Sequence, residues 1–254
     1  MVDTARSTDG TKIAYERTGE GPVLILAGGA LNNRHSADAL VPRLVETFSV
    51  VTFDRRGRGD SSDTPPYAPA REVEDLEALI DAVGGSAMVY GHSSGAVLSL
   101  EAAAGGAAIT RLAAYEPPYL TGNAETASTR LREIEAALHA GDRGTAVEIF
   151  IRGTGAPFDA AMKTQPWFAG LEAVAHTLPY DLALVGDSSV PVERLTKITV
   201  PTLGVYGDAS PAWAAASIRA VIGAIPGATQ KVLAGQTHAA DPAVLAEVII
   251  DYFG

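Results

Sequence analysis

Ala87-Met88-Val89-Tyr90-Gly91-His92-Ser93-Ser94-Gly95-Ala96-Val97-Leu98 is the stretch whose reading decides the fold. Ala87 to Tyr90 form a short apolar run that reads as a buried strand. Residues 96–104 are strong helix formers, closed by Gly105 and Gly106. Between them, Gly91-His92-Ser93-Ser94-Gly95 fits the pattern G-x-S-x-G, and the strand-turn-helix context makes that bare match a nucleophile elbow. A serine held in a strained turn needs neighbours without side chains, so that the backbone can fold tightly and the helix can pack close. The Ser93 hydroxyl would then stand above a sheet edge, with a helix N-terminus beneath it to favour developing negative charge.

Outward from this turn, strand-like and helix-like segments alternate. Residues 11–17 alternate like a half-buried strand, while 23–26 and 48–53 are apolar on both faces, and 88–90 and 112–115 complete the set. Helical spacing occupies 37–46, 71–83 and 96–104 between them. Strands apolar on both faces, alternating with helices, predict an α/β fold with a doubly wound, mainly parallel sheet. The rhythm breaks at Glu116-Pro117-Pro118, and the next seventy or so residues read only as short helices, at 129–139, 143–152, 157–167 and 171–184. Strands resume at 202–206 and 229–233, each followed by a helix, the last at 242–252. The expected division is therefore a core over 1–120 and 191–254, with a helical cap over 121–190 inserted before the last two strands.

Composition limits the function classes. With 47% hydrophobic and 19% charged residues in 254, the chain reads as compact and globular. A net charge of -11 argues against nucleic-acid or anionic-membrane partners, and no apolar run is long enough for a membrane span. The absence of cysteine excludes disulfides and thiolate catalysis. A cytoplasmic location is expected, since the first residues carry no apolar signal region. Neither a phosphate-binding glycine loop nor metal-ligand spacing is present, so no cofactor and no metal are expected.

The chain resembles the α/β-hydrolase superfamily over essentially its full length. The resemblance is carried by Leu26-Ala27-Gly28-Gly29-Ala30, by Phe53-Asp54-Arg55-Arg56-Gly57-Arg58-Gly59-Asp60-Ser61, by the elbow, and by Gly235-Gln236-Thr237-His238. It implies Ser93 as nucleophile and His238, after the final strand, as base. His92 is expected to point away from Ser93, and His35, His139 and His176 are read as structural or solvated. Two backbone amides should form the oxyanion hole: that of Ser94, and that of Gly29 in a loop where similar enzymes carry His-Gly and this chain carries Ala27-Gly28. In similar folds the arginine-rich run at 55–58 forms a buried polar brace beside the site.

The acid departs from the family pattern. The resemblance puts it a few residues after the glycine that ends the next-to-last strand, where this sequence has Ser210. Asp208 lies two residues early, and Glu116 ends the 112–115 strand, where some related enzymes place the acid. Both remain candidates. Tyr119, Trp167, Phe168 and Trp213 are candidate substrate-binding residues for an apolar or cyclic ester-like small molecule. The expected activity is hydrolysis of a carboxylic ester or lactone, in the manner of an esterase or lactonase. A serine disfavours the aspartate-dependent epoxide hydrolase and dehalogenase chemistries of this fold. A cofactor-free cyclase, lyase or perhydrolase, or a small-molecule receptor on the same scaffold, are the alternatives.

Overall fold

The computed structural model describes all residues from Met1 to Gly254. The strands are β1 Asp3–Arg6, β2 Lys12–Thr18, β3 Val23–Ala27, β4 Ser49–Phe53, β5 Ala87–His92, β6 Ile109–Tyr115, β7 Thr202–Gly207 and β8 Thr229–Leu233. The core helices are α1 Val41–Leu44, α2 Pro69–Val83 and α3 Ser94–Gly105. Between β6 and β7 come α4 Ala124–His139, α5 Arg143–Gly153, α6 Phe168–Val174, α7 Leu178–Val185 and α8 Val192–Leu195. The chain closes with α9 Ala212–Ala224 and α10 Pro242–Phe253.

All eight strands form one sheet in the order β1-β2-β4-β3-β5-β6-β7-β8. β1 and β2 run antiparallel at one edge, and every pairing from β4 through β8 is parallel. Successive residues of the central strands enter opposite layers, as the pleat requires. Ile25, Val51 and Val89 pack with α2 and α3, while Leu24, Val50 and Met88 pack with α1 and α10. That two-sided burial explains why the central strands read as continuous apolar runs. The chain leaves β3 toward β4 and then returns past it to β5, so winding reverses between β3 and β5. The crevice at the C-terminal ends of such strands is where ligands bind in open parallel sheets.

The helices between β6 and β7 enclose a small apolar cluster of their own, built on Ile134, Val147, Phe168 and Leu178. The ends of this insertion are clasped where the Leu120 amide donates to the Ser188 carbonyl at 2.7 Å. Expectation and structure differ locally. β1 is short and mostly exposed, so no apolar pattern announces it. The 37–46 segment forms only a 3-10 turn (Arg34–Ala37) and the four-residue α1. The 157–167 segment, bracketed by Pro157 and Pro166, forms a single 3-10 turn over Ala160–Thr164. The expected 171–184 helix is broken into α6, a 3-10 turn and α7, with Pro179 in the first turn of α7. No helix is long and apolar enough to cross a membrane.

Candidate active site

The elbow joins β5 to α3. Ser93 takes φ 57° and ψ -125°, a conformation held only where the surroundings dictate it. Those surroundings are visible at the two glycines. A Cβ on Gly91 would lie 2.6 Å from Ala96 Cα, and one on Gly95 would lie 2.2 Å from the Ala27 carbonyl oxygen. A side chain at either position would push α3 off the sheet.

Ser93 and His238 line one narrow cavity of about 40 Å³, roofed by residues of the insertion. His238 lies in the loop between β8 and α10, and that loop is held at successive carbonyls. The Tyr115 hydroxyl donates to Thr237 O at 2.6 Å, and His92 Nε2 lies 2.9 Å from His238 O. A carbonyl only accepts, so His92 carries its proton on Nε2. The Trp213 ring stands edge-on to His238 at 5.6 Å, and its Nε1 donates to Thr154 O at the end of α5. No hydrogen bond joins Ser93 Oγ to the His238 ring in this structure, a contact that commonly tightens only with substrate bound.

The two candidate acids differ in what they contact. Glu116 is fully buried just beyond β6, with Oε2 2.7 Å from His238 Nδ1. Its Oε1 accepts from the Gly207 amide at 2.9 Å and from the Ser210 hydroxyl at 2.6 Å. Burial alone would raise this carboxyl, but the hydrogen bonds from His238, Ser210 and Gly207 outweigh it and hold it below its ordinary value of 4.5. The carboxylate therefore receives Nδ1–H and leaves Nε2 of a neutral ring free to take a proton. Asp208 is not part of this contact. Its Oδ1 accepts from the Gly235 amide at 2.6 Å and ties down the start of the histidine loop. Ser210, where the acid was expected, serves as a donor to Glu116 instead.

The two residues expected to supply oxyanion amides both lie beside Ser93. Ser94 begins α3, where an amide has no intrahelical carbonyl to bond. Gly29 lies so close that a Cβ there would sit 2.8 Å from Ser93 Cβ, and its own N–H joins no backbone hydrogen bond. Residues 23–248 match the model of the alpha/beta hydrolase family. The chain belongs to that family.

Among solved structures, an alpha/beta hydrolase from Sphaerobacter thermophilus DSM 20745 is 48% identical with a TM-score of 0.92, over 99% of this chain and 100% of its own. A hydrolase from Pseudomonas aeruginosa PA01 is 28% identical with a TM-score of 0.83, over 100% of this chain and 98% of its own. The 2-(acetamidomethylene)succinate hydrolase of Mesorhizobium japonicum is 29% identical over 233 residues, 85% of this chain and 80% of that protein.

Beside Gly29 and Ser94 this alpha/beta hydrolase holds a buried charge lattice. Arg55 pairs with Glu72 at 2.6 Å and with Asp181 of α7 at 2.8 Å, while Arg58 pairs with Asp181 at 2.8 Å. Arg58 Nη1 also donates to Gly29 O at 2.7 Å, and the Ser94 hydroxyl donates to Asp181 Oδ1 at 2.7 Å. The lattice thus grips both Gly29 and Ser94. Burial pushes Asp181 up, but Arg58 and Arg55 outweigh it and hold the carboxyl low. Arg55 is raised because Glu72 and Asp181 overcome its burial, whereas burial beside Arg55 lowers Arg58. Sequence reasoning did not find Asp181. Its signal was a lone acid in the apolar helix Leu178–Val185, which must find cations if it is buried.

Three candidate substrate-binding residues fall elsewhere. Tyr119 is buried in the main core, Phe168 fills the insertion's own cluster, and Trp167 is 53% exposed. None lines the Ser93 cavity; Trp213 does. Bulky apolar side chains are drawn first to whichever core is nearest, and here two cores compete with the cavity. A larger cavity of about 270 Å³ also reaches His238, but it is lined by Ala27, Tyr90 and His92 and not by Ser93. No cluster of three or more His, Asp or Glu side chains is arranged to hold a metal ion.

His92 carries a pH consequence. Burial, reinforced by the neighbouring His238, pulls its imidazole from 6.5 down to about 4. Between those values the unfolded chain binds a proton that the folded protein refuses, so stability is lost as pH falls through that window. The melting temperature is expected to drop from pH 6.5 to pH 4, and His92→Gln, which keeps a donor for His238 O, to flatten that slope. An unchanged slope in the variant would assign the acid sensitivity to other groups.

Proposed function

We propose that this protein is a serine hydrolase that cleaves a carboxylic ester or lactone. The observation that carries the reading is the Glu116–His238 contact at 2.7 Å, set beside a strained elbow serine in one cavity. His238 Nε2 takes the Ser93 hydroxyl proton as Oγ attacks the carbonyl carbon. The carbonyl electron pair moves to oxygen, where the amides of Gly29 and Ser94 stabilise it. Collapse expels the alcohol, which receives the proton from His238, and leaves an acyl-Ser93. Water then gives a proton to His238 as it attacks the acyl carbon, and collapse releases the acid as His238 returns that proton to Ser93 Oγ. Glu116 keeps the ring oriented and stabilises the imidazolium without taking the proton. Family membership and hydrolase-named relatives support hydrolysis as the reaction type.

Intact-mass labelling with a fluorophosphonate tests this reading. A single adduct is expected on the wild type and none on Ser93→Ala. A folded wild type that takes no adduct, or a variant that still does, would remove Ser93 as the activated nucleophile. The non-hydrolytic or receptor reading would then lead.

A further inference from the structure

Arg130, on α4, lines the cavity that holds Ser93 and His238. It is the one arginine in that lining; Arg55 and Arg58, buried nearby, are committed to Glu72 and Asp181. Arg130 has no ion-pair or hydrogen-bond partner, and the acid that acts on it is Glu133 on the same helix, from beyond ion-pair distance. Burial pulls its guanidinium below the ordinary value. A partly buried cation without a counter-ion is unfavourable unless something else supplies the charge.

The seat of this side chain is built. A Cβ on Gly153, the last residue of α5, would lie 2.2 Å from Arg130 Nε and 2.7 Å from its Cζ. Gly153 does not have the positive φ that would make glycine a backbone requirement. Its missing side chain instead leaves the trough in which the guanidinium lies. Around it the cavity wall is apolar at Ala127, Phe150, Leu182 and Val185. On a chain of net charge -11, which repels anions at long range, this is a local positive focus.

We infer that the substrate carries a carboxylate, and that Arg130 receives it while Ser93 attacks the ester carbonyl at the other end of a short apolar acyl chain. This deepens the hydrolase reading and rests on it for the attack at Ser93. A guanidinium matches a carboxylate with two parallel donors, which a methyl or hydroxyl in the same place does not exploit.

Ethyl butyrate and monoethyl succinate form a matched pair that differs only by a carboxylate in place of the terminal methyl. The wild type is expected to favour monoethyl succinate in kcat/KM by at least about tenfold. Arg130→Gln should bring the ratio of the two esters to about one, and Arg130→Lys, which keeps charge without the fork, should retain part of it. Calorimetric titration of both esters into Ser93→Ala, with and without Arg130→Gln, reads the same preference without turnover. If neither ester is hydrolysed, yet monoethyl succinate binds preferentially and Arg130→Gln abolishes that preference, the anion site stands and the hydrolytic reading falls. If the esters are turned over or bound without preference, or if the preference survives Arg130→Gln, the assignment of Arg130 is overturned.

Discussion

Glu116→Gln is expected to lower kcat by about 10³–10⁴-fold while the fold stays intact. The size of the loss follows from where the amide must point. In the wild type, Oε1 accepts from both the Gly207 amide and the Ser210 hydroxyl. In the variant, those two donors fix the amide oxygen at the same place, so the NH₂ group faces His238. His238 Nδ1, 2.7 Å from Oε2 in the wild type, then has to accept a hydrogen bond instead of donating one. Its proton moves to Nε2, and the ring loses the lone pair that would take the Ser93 proton. Asp208→Asn is the matched control, because an asparagine oxygen still accepts from the Gly235 amide. Its kcat should stay within about threefold, as expected for a loop anchor whose hydrogen bond is kept. Turnover of an activated ester by both variants, with circular dichroism to check folding, measures the difference. A greater loss in Asp208→Asn than in Glu116→Gln would return the acid to Asp208.

The frame of the fold was legible because its physics is local. Strands β3, β4, β5 and β7 and the second half of β6 are buried on both faces, so each announces itself as an apolar run, and the elbow is spelled by glycines whose absent side chains make room for backbone. β1 was not legible, since it is short and mostly exposed. The choice between Glu116 and Asp208 was beyond sequence for a different reason. It depends on β6 lying beside β7, with Tyr115 paired to Val205, which sets Glu116 against the Gly207 amide. The pocket residues fared worst. Trp167 and Phe168 are apolar and large, but size says nothing about which of two cores or one cavity receives them. Lone charges in the helices would have been the better guide. Asp181 and Arg130 each look like ordinary surface residues in sequence, yet each must be answered by a partner once its helix is packed.

The same argument makes Asp181 the residue whose loss should do most damage to stability. Asp181→Ala would leave Arg55 and Arg58 buried together with Glu72 as the carboxylate between them, and Glu72 is bound to Arg55. Removing one partner from a buried ion pair costs about 3–5 kcal/mol, because the remaining charge is left without compensation. Urea denaturation should report a loss of that order. The second effect is on chemistry. Arg58 holds the Gly29 carbonyl and Asp181 accepts from the Ser94 hydroxyl, so both residues proposed to stabilise the oxyanion lose a support. Asp181→Asn separates the two effects, since it keeps acceptor and shape while removing the charge. A purely structural role predicts that kcat recovers fully wherever either variant is folded. A role in positioning the amides predicts a kcat that stays low at temperatures where the fold is complete, with KM little changed, and slower fluorophosphonate labelling of Ser93. Because Asp181 is carried by the insertion between β6 and β7 and not by the sheet, that outcome would make the docking of α7 a condition for a formed oxyanion site.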